Sequence, residues 1–136
     1  MRYKLETEAS VKKLQEVIDF VEGHLEAADC NTKLSMQICL AVEEIFVNIA
    51  SYAYGDEDGL AIMYLEIFDE PLSVVITFED SGIPYNPLAA AEPDINAPID
   101  KRRIGGLGIF LAKKMADEMT YRHEGGRNIL TFKKLF

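Results

Sequence analysis

A glutamate and an asparagine four residues apart form the first pair in this chain whose types and spacing suggest chemistry. Their spacing places Glu44 and Asn48 on the same face of a helix. An asparagine amide oxygen suits Mg²⁺, which takes about one or two oxygens from protein and the rest from water and phosphate. A carboxylate one turn earlier could orient a bound water or accept a proton from an attacking hydroxyl. Alternatively, both groups are solvated on a helix surface. Glu43 is the weaker candidate base, because its position is rotated off that face.

A second group of residues follows the apolar, strand-like run at 74–78. Asp80 is followed by Ser81 and Gly82. A carboxylate is an acceptor only, so Asp80 can accept a hydrogen bond from an exocyclic amine such as N6 of adenine. Gly82 would let the backbone approach a flat purine ring, or would adopt a positive φ. The alternative is a simple turn, because Asp, Ser and Gly are all favoured in turns.

A glycine-rich segment precedes an apolar helical pattern further along the chain. It consists of Gly105, Gly106, Leu107 and Gly108. Glycines there let backbone N–H groups approach a phosphate, and a helix N-terminus adds unpaired donors and a favourable dipole. Arg103, in the basic triplet 101–103, could add charge-assisted contacts to phosphate or could lie in a solvated loop. The sequence contains neither the Rossmann nor the P-loop glycine spacing.

Composition limits the class of protein to which these residues belong. The chain has 136 residues, 49% hydrophobic and 27% charged, which predicts one ordinary domain over residues 1–136. The net charge of −9 argues against direct binding to nucleic acid, which requires clustered Lys and Arg. Two cysteines predict no disulfide framework. Without a signal peptide or a membrane-spanning apolar run, we expect a cytoplasmic protein with no membrane partner.

Hydrophobic periodicity predicts the elements that must position these groups. Strands are expected over residues 2–8, 60–68, 72–78, 119–123 and 128–135. Helices are expected from Ser10 to about Ala27, from Asn31 or Thr32 to near Tyr54, and from 106–108 to about Asp117. Residues 83–104 contain four of the five prolines and show no period, which predicts a functional lid or a disordered segment.

This order of elements indicates an α+β fold. We expect a two-layer sandwich with a mostly antiparallel sheet, three helices on one face and a flexible lid. A doubly wound α/β fold would require strands and helices to alternate throughout the chain, and they do not.

The three groups of candidate residues, in this order, resemble the ATP site of a known superfamily. The spacings of 32 residues from Asn48 to Asp80 and 25 from Asp80 to Gly105 are similar to those of the N, G1 and G2 boxes of the gyrase, histidine-kinase and MutL ATPases. More narrowly, the stretches 41–48, 80–87 and 104–109 resemble the anti-sigma-factor serine kinases of bacterial partner-switching systems. The resemblance covers nearly the full length of the chain.

The resemblance implies a Bergerat-type sandwich that binds ATP and Mg²⁺. By this resemblance, Glu44 matches the position of the family's catalytic base and Asn48 matches the position of its Mg²⁺ ligand. Asp80 matches the position of the carboxylate that binds adenine. Thr131 matches a threonine often found near that carboxylate. Members transfer the γ-phosphoryl of ATP to a serine of a small antagonist protein, and they bind a sigma factor. The choice of partner changes with the bound nucleotide, ATP or ADP, and with the phosphorylation state. The resemblance also suggests a homodimer.

Other functions remain open from the sequence. The family often has a basic residue or a histidine three or four positions after the asparagine, where this chain has Ser51 and Tyr52. The alternative is therefore a module that binds ATP and switches partners without phosphorylating them. A histidine-kinase fragment is not expected, because no phospho-acceptor helix precedes residue 1. A gyrase-like ATPase is not expected without a transducer domain.

Overall fold

Five antiparallel strands form one layer of the molecule. The computed structural model describes residues 1–89 and 107–136. The strands are β1 (Arg2–Glu8), β2 (Leu60–Asp69), β3 (Leu72–Asp80), β4 (Glu118–Glu124) and β5 (Arg127–Leu135). Their order across the sheet is β1-β2-β3-β5-β4, so that β3 and β5 lie side by side in the interior. Most of the predicted lid, including residues 90–104, lies outside the described residues.

Three helices in the described part of the chain form the second layer: α1 (Leu14–Ala27), α2 (Thr32–Tyr52) and α3 (Leu107–Met115). The predicted N-cap of α2 is present, because Oδ1 of Asn31 accepts a hydrogen bond from the Leu34 N–H at 2.9 Å. Ser10 behaves differently from the prediction. It caps a short 3₁₀ turn at Val11–Lys13, and α1 begins only after that turn.

Strand alternation directs every second side chain of the inner strands into one core. The buried apolar strand residues are Ala61, Met63 and Leu65 of β2, Val74, Ile76 and Phe78 of β3, and Leu130 and Phe132 of β5. The helices cover this face with their own buried residues, which include Val21 of α1, Ile45 of α2 and Ala112 of α3. Each large apolar side chain buried in this way contributes about 1.5–3 kcal/mol. The predicted α+β sandwich with an antiparallel sheet is therefore confirmed.

No membrane-spanning apolar run was expected from the sequence, but helix α2 is long and apolar enough to count as a candidate. By length and composition alone, this 21-residue helix could cross a membrane, with a mean hydropathy of 1.4 over its most apolar window. The core helices of soluble proteins pass the same test. Here α2 carries Glu43 and Glu44 in its middle and packs Ile38, Val42 and Ile45 into the core. The helix therefore connects the core to the candidate site.

Candidate functional site

Asp80 is the last residue of β3, whereas the sequence prediction ended this strand at Phe78. It continues the ladder by pairing with Ala61 on one side and Asn128 on the other. Because Asp80 shares the inner face with Phe78, its carboxylate lies on the helix side of the sheet. The residue is 7% exposed. Its Oδ1 accepts hydrogen bonds from Gly82 N and Asn128 Nδ2, both at 2.9 Å. Among the described residues no donor contacts Oδ2, which leaves that oxygen available to an amine.

Gly82 packs against the end of α2. A Cβ at this position would clash with the backbone carbonyl of Ala53. The N–H of Ile83 donates to that same carbonyl at 2.8 Å. Gly82 does not have a positive φ, so close approach of two backbones explains this glycine. The turn after Asp80 is thereby fastened to the helix that carries Asn48.

We expect Gly82→Ala to lower the free energy of unfolding by about 1–3 kcal/mol, because a backbone carbonyl yields less readily to an inserted methyl than a side chain does. Urea denaturation measures the loss. Gly23→Ala is the matched control, since a Cβ at Gly23 in α1 meets nothing within 4 Å. That control should be neutral or slightly stabilising. Equal stability of both variants would contradict a tight contact at Ala53.

Glu44 and Asn48 lie on one face of α2, as their spacing predicts. The Asn48 side chain forms no hydrogen bond with any residue that the structure describes, so its amide oxygen is available to a ligand. Glu44 reaches the first turn of α3, where a Cβ on Gly108 would clash with its Oε2. Burial raises the pKa of Glu44, and the negative charge of Glu43 raises it further. Both effects disfavour the charged carboxylate.

A cleft opens between α2 and the inner face of the sheet, with Asn48 and Asp80 both in its wall. Its apolar wall includes Ile49, Phe78 and Leu130. The polar and aromatic lining comprises Asn48, Tyr52, Asp80, Tyr85, Tyr121 and Asn128. A mostly apolar slot with a single convergent carboxylate is suited to a flat heteroaromatic ring that carries an amine.

The two neighbouring glutamates of α2 face different surfaces. Glu43 lines a separate groove on another side of the helix, together with Lys33, Met36 and Leu40. Glu44 instead contacts Gly108 of α3. This difference supports Glu44 over Glu43 as the carboxylate next to the cleft.

Comparison with known proteins identifies the family to which the chain belongs. A family model described as Histidine kinase-like ATPase domain matches residues 7–134. The chain belongs to this family. It is 32% identical over 94 residues to Serine-protein kinase RsbW of Staphylococcus aureus strain MSSA476, and 33% identical over 98 residues to Serine-protein kinase RsbW of Staphylococcus epidermidis. The alignments cover 66% and 69% of this chain, and 59% and 62% of the relatives. The chain thus spans about three fifths of the length of the curated relatives it matches.

The histidine kinase-like ATPase fold gathers several of the residues singled out from the sequence. Asn48 and Asp80 lie in the wall of the cleft, and Gly82 lies in the turn that follows Asp80. Glu44 contacts Gly108 at the start of α3. Leu107 is the first residue of α3. Arg103, Gly105 and Gly106 lie outside the described residues, together with the other basic residues of the triplet at 101–103.

The structure does not bring Thr131 to Asp80. Thr131 pairs with Thr77, whereas Asp80 pairs with Asn128. Thr77 and Asp80 are three residues apart along β3, and Asn128 and Thr131 are three residues apart along β5. Because side chains alternate along a strand, Thr131 lies on the outer face of the sheet. The residue that contacts the carboxylate is Asn128, which the sequence analysis missed. Its signal in the sequence was a polar residue in phase with the buried Leu130 and Phe132.

Proposed function

We propose that this chain is a cytoplasmic, Mg-ATP-dependent protein-serine kinase that folds as one domain over residues 1–136 and regulates a partner by binding it. The observation that carries the proposal is the cleft itself. It presents two oxygens that no described residue satisfies, Asp80 Oδ2 and the Asn48 amide oxygen, with Glu44 one helical turn away. The likeness to proteins named serine-protein kinase supports the same assignment.

Each group of the cleft has a separate part in binding. Oδ2 of Asp80 accepts a hydrogen bond from the adenine amine, and Phe78 and Leu130 pack against the ring. The described residues contain no cluster of His, Cys, Asp and Glu able to hold a metal ion alone. Mg²⁺ would therefore be held by Asn48 together with phosphate oxygens and water, an oxygen-rich set that suits this cation. Bound there, it would neutralise negative charge on the phosphates.

Glu44 is the proposed base for phosphoryl transfer. The hydroxyl oxygen of the substrate serine forms a bond to the γ-phosphorus of ATP, while the bond from that phosphorus to the β–γ bridging oxygen breaks. ADP leaves, and the hydroxyl proton passes to the Glu44 carboxylate. Most of the rate enhancement would come from positioning and electrostatic stabilisation, with the carboxylate assisting deprotonation.

The proposed partners are proteins. The phosphorylated substrate is a small antagonist protein that carries the serine, and the sequestered partner is a sigma factor or a similar protein. The net charge of −9 disfavours direct contact with nucleic acid. A homodimer is part of the proposal and is measurable by light scattering.

The test combines nucleotide binding with transfer. Titration calorimetry should detect ATP and ADP binding that strengthens with Mg²⁺. The immobilised chain should then capture a protein from native cells in the presence of one nucleotide, ATP or ADP, and release it in the presence of the other. Adding ATP labelled on the γ-phosphate should place label on serine of the captured protein. A chain that binds no ATP would contradict the proposal.

A second candidate function is a nucleotide-sensing module that binds partners without phosphorylating them. One observation favours it: Tyr52, four positions after Asn48, lines the cleft and carries no positive charge. A missing positive charge would weaken stabilisation of the γ-phosphate during transfer. Nucleotide-dependent capture of a partner, with no phosphoserine formed, would favour this candidate.

A further inference from the structure

Asn128 is a buried polar side chain whose hydrogen-bonding groups are all engaged. It lies on the inner face of β5 and is 7% exposed. Its Nδ2 donates to Oδ1 of Asp80 at 2.9 Å and to the carbonyl oxygen of Ile83 at 3.0 Å. Its Oδ1 accepts from the backbone N–H of Tyr85 at 3.1 Å and from the hydroxyl of Tyr121. The side chain of this β5 residue therefore links two further segments, residues 83–85 and β4, to the carboxylate.

Two backbone groups fix the orientation of this amide. The N–H of Tyr85 can only donate and the carbonyl of Ile83 can only accept. The Asn128 oxygen must therefore face Tyr85, and its nitrogen must face Ile83. A flipped amide would place its oxygen against the carbonyl oxygen of Ile83, so that two acceptors face each other. Its NH₂ group would then face the N–H of Tyr85, and two donors would meet. As a result, Asn128 always presents N–H to Asp80.

The same arrangement leaves Asp80 with one available oxygen. Oδ1 already receives Asn128 Nδ2 and the Gly82 N–H, while among the described residues Oδ2 receives none. A half-turn of the carboxylate only exchanges two equivalent oxygens, whereas any smaller rotation would weaken both of these bonds. Asp80 is therefore held so that its open side is an acceptor.

We propose that Asn128 is a positioning residue for base selection. By donating to Oδ1, it holds Asp80 so that Oδ2 accepts the exocyclic amine of a purine, and a base with a carbonyl in that place is rejected because two acceptors would meet. Asn128 acts through Asp80, because all of its own hydrogen-bonding groups are already engaged by the protein. This inference rests on the proposed nucleotide site and deepens it.

The test compares two nucleotides that differ only in the amine. ATP and purine riboside triphosphate, which has hydrogen in place of the amine, are titrated against the wild-type chain and against Asn128→Leu. We expect wild type to prefer ATP, and Asn128→Leu to lose about tenfold or more of that preference, as expected for a hydrogen bond to a charged group. Affinity for the analogue should fall by a much smaller factor, because the analogue makes no bond to Oδ2.

Two further variants keep the test decisive. Tyr121→Phe removes one hydrogen bond to the Asn128 oxygen while leaving the amide in place, so it should reduce the preference by a smaller factor even if Asn128→Leu fails to fold. Thr77→Val is the control, because it changes a hydroxyl on the outer face of β3. In an Asp80→Ala background, Asn128→Leu should have no further effect on the preference.

The outcomes separate this inference from the function on which it rests. Equal losses for ATP and for the analogue in Asn128→Leu and Tyr121→Phe would assign Asn128 to pocket shape alone and overturn the inference. An unchanged ATP preference in both variants would overturn it as well. In either case the proposed function would stand. A wild-type chain that binds neither nucleotide would overturn both.

Discussion

Glu44→Gln is expected to slow serine phosphorylation by about two to four orders of magnitude, the usual contribution of a positioned general base. The glutamine keeps the shape of the side chain beside Gly108 but cannot take the proton of the attacking hydroxyl. ATP affinity should not decrease, because Glu44 is not among the residues that line the cleft. Single-turnover transfer from γ-labelled ATP, measured alongside calorimetry on the same preparation, separates the two effects.

Glu43→Gln is the matched control for this prediction. It removes the same charge from the adjacent position of α2, but Glu43 faces the other groove. Transfer near neutral pH should stay close to wild type. Equal losses of transfer in the two variants would indicate a general charge effect and would contradict a base at Glu44.

The pH profile gives the same assignment a second test. The base must be ionised, so transfer should fall as the pH drops through the pKa of Glu44. Burial, and then the charge of Glu43, raise the pKa of Glu44, so the acidic limb should lie above the usual range of a glutamate. Glu43→Gln removes one cause of the raised pKa and should move that limb to lower pH. The limb should disappear from the residual rate of Glu44→Gln.

Periodicity in the sequence predicted the layer order and the helix that carries Asn48, because both depend on repeating apolar residues. Strand ends were less predictable. Glu79 and Asp80 are polar, and only their neighbours in the sheet, Ile129 and Asn128, show that β3 continues through them. The 3₁₀ turn after Ser10 was missed for a similar reason, since one capping residue suits both kinds of helix.

The partner of the Asp80 carboxylate depends on strand register, which sequence spacing does not specify. Thr131 and Asn128 are three residues apart and therefore lie on opposite faces of β5. Choosing between them requires knowing which residue pairs with Asp80. The reason for Gly82 was equally hidden, because the Ala53 carbonyl that excludes a side chain is distant in sequence.

Asn48→Ala should abolish the Mg²⁺-dependent part of ATP binding while leaving the fold intact. The variant removes the single protein oxygen proposed for the metal. Its folding cost should be small, because the Asn48 side chain bonds to none of the described residues and alanine favours a helix more than asparagine does. Calorimetric titration of ATP with Mg²⁺ and with a chelator measures the effect, and thermal unfolding checks the fold.

The comparison between the two buffers decides what Asn48 does. If Asn48 binds the metal, the affinities of wild type and Asn48→Ala for ATP should differ greatly with Mg²⁺ and agree closely in chelator. If it contacts the nucleotide directly, the loss should persist in chelator. Asn48→Asp keeps an oxygen at the same place and should retain the Mg²⁺ dependence, because a carboxylate also suits this cation. Unchanged ATP affinity of Asn48→Ala with Mg²⁺ would mean that Asn48 is only a surface residue of α2, and the metal would then require a ligand elsewhere.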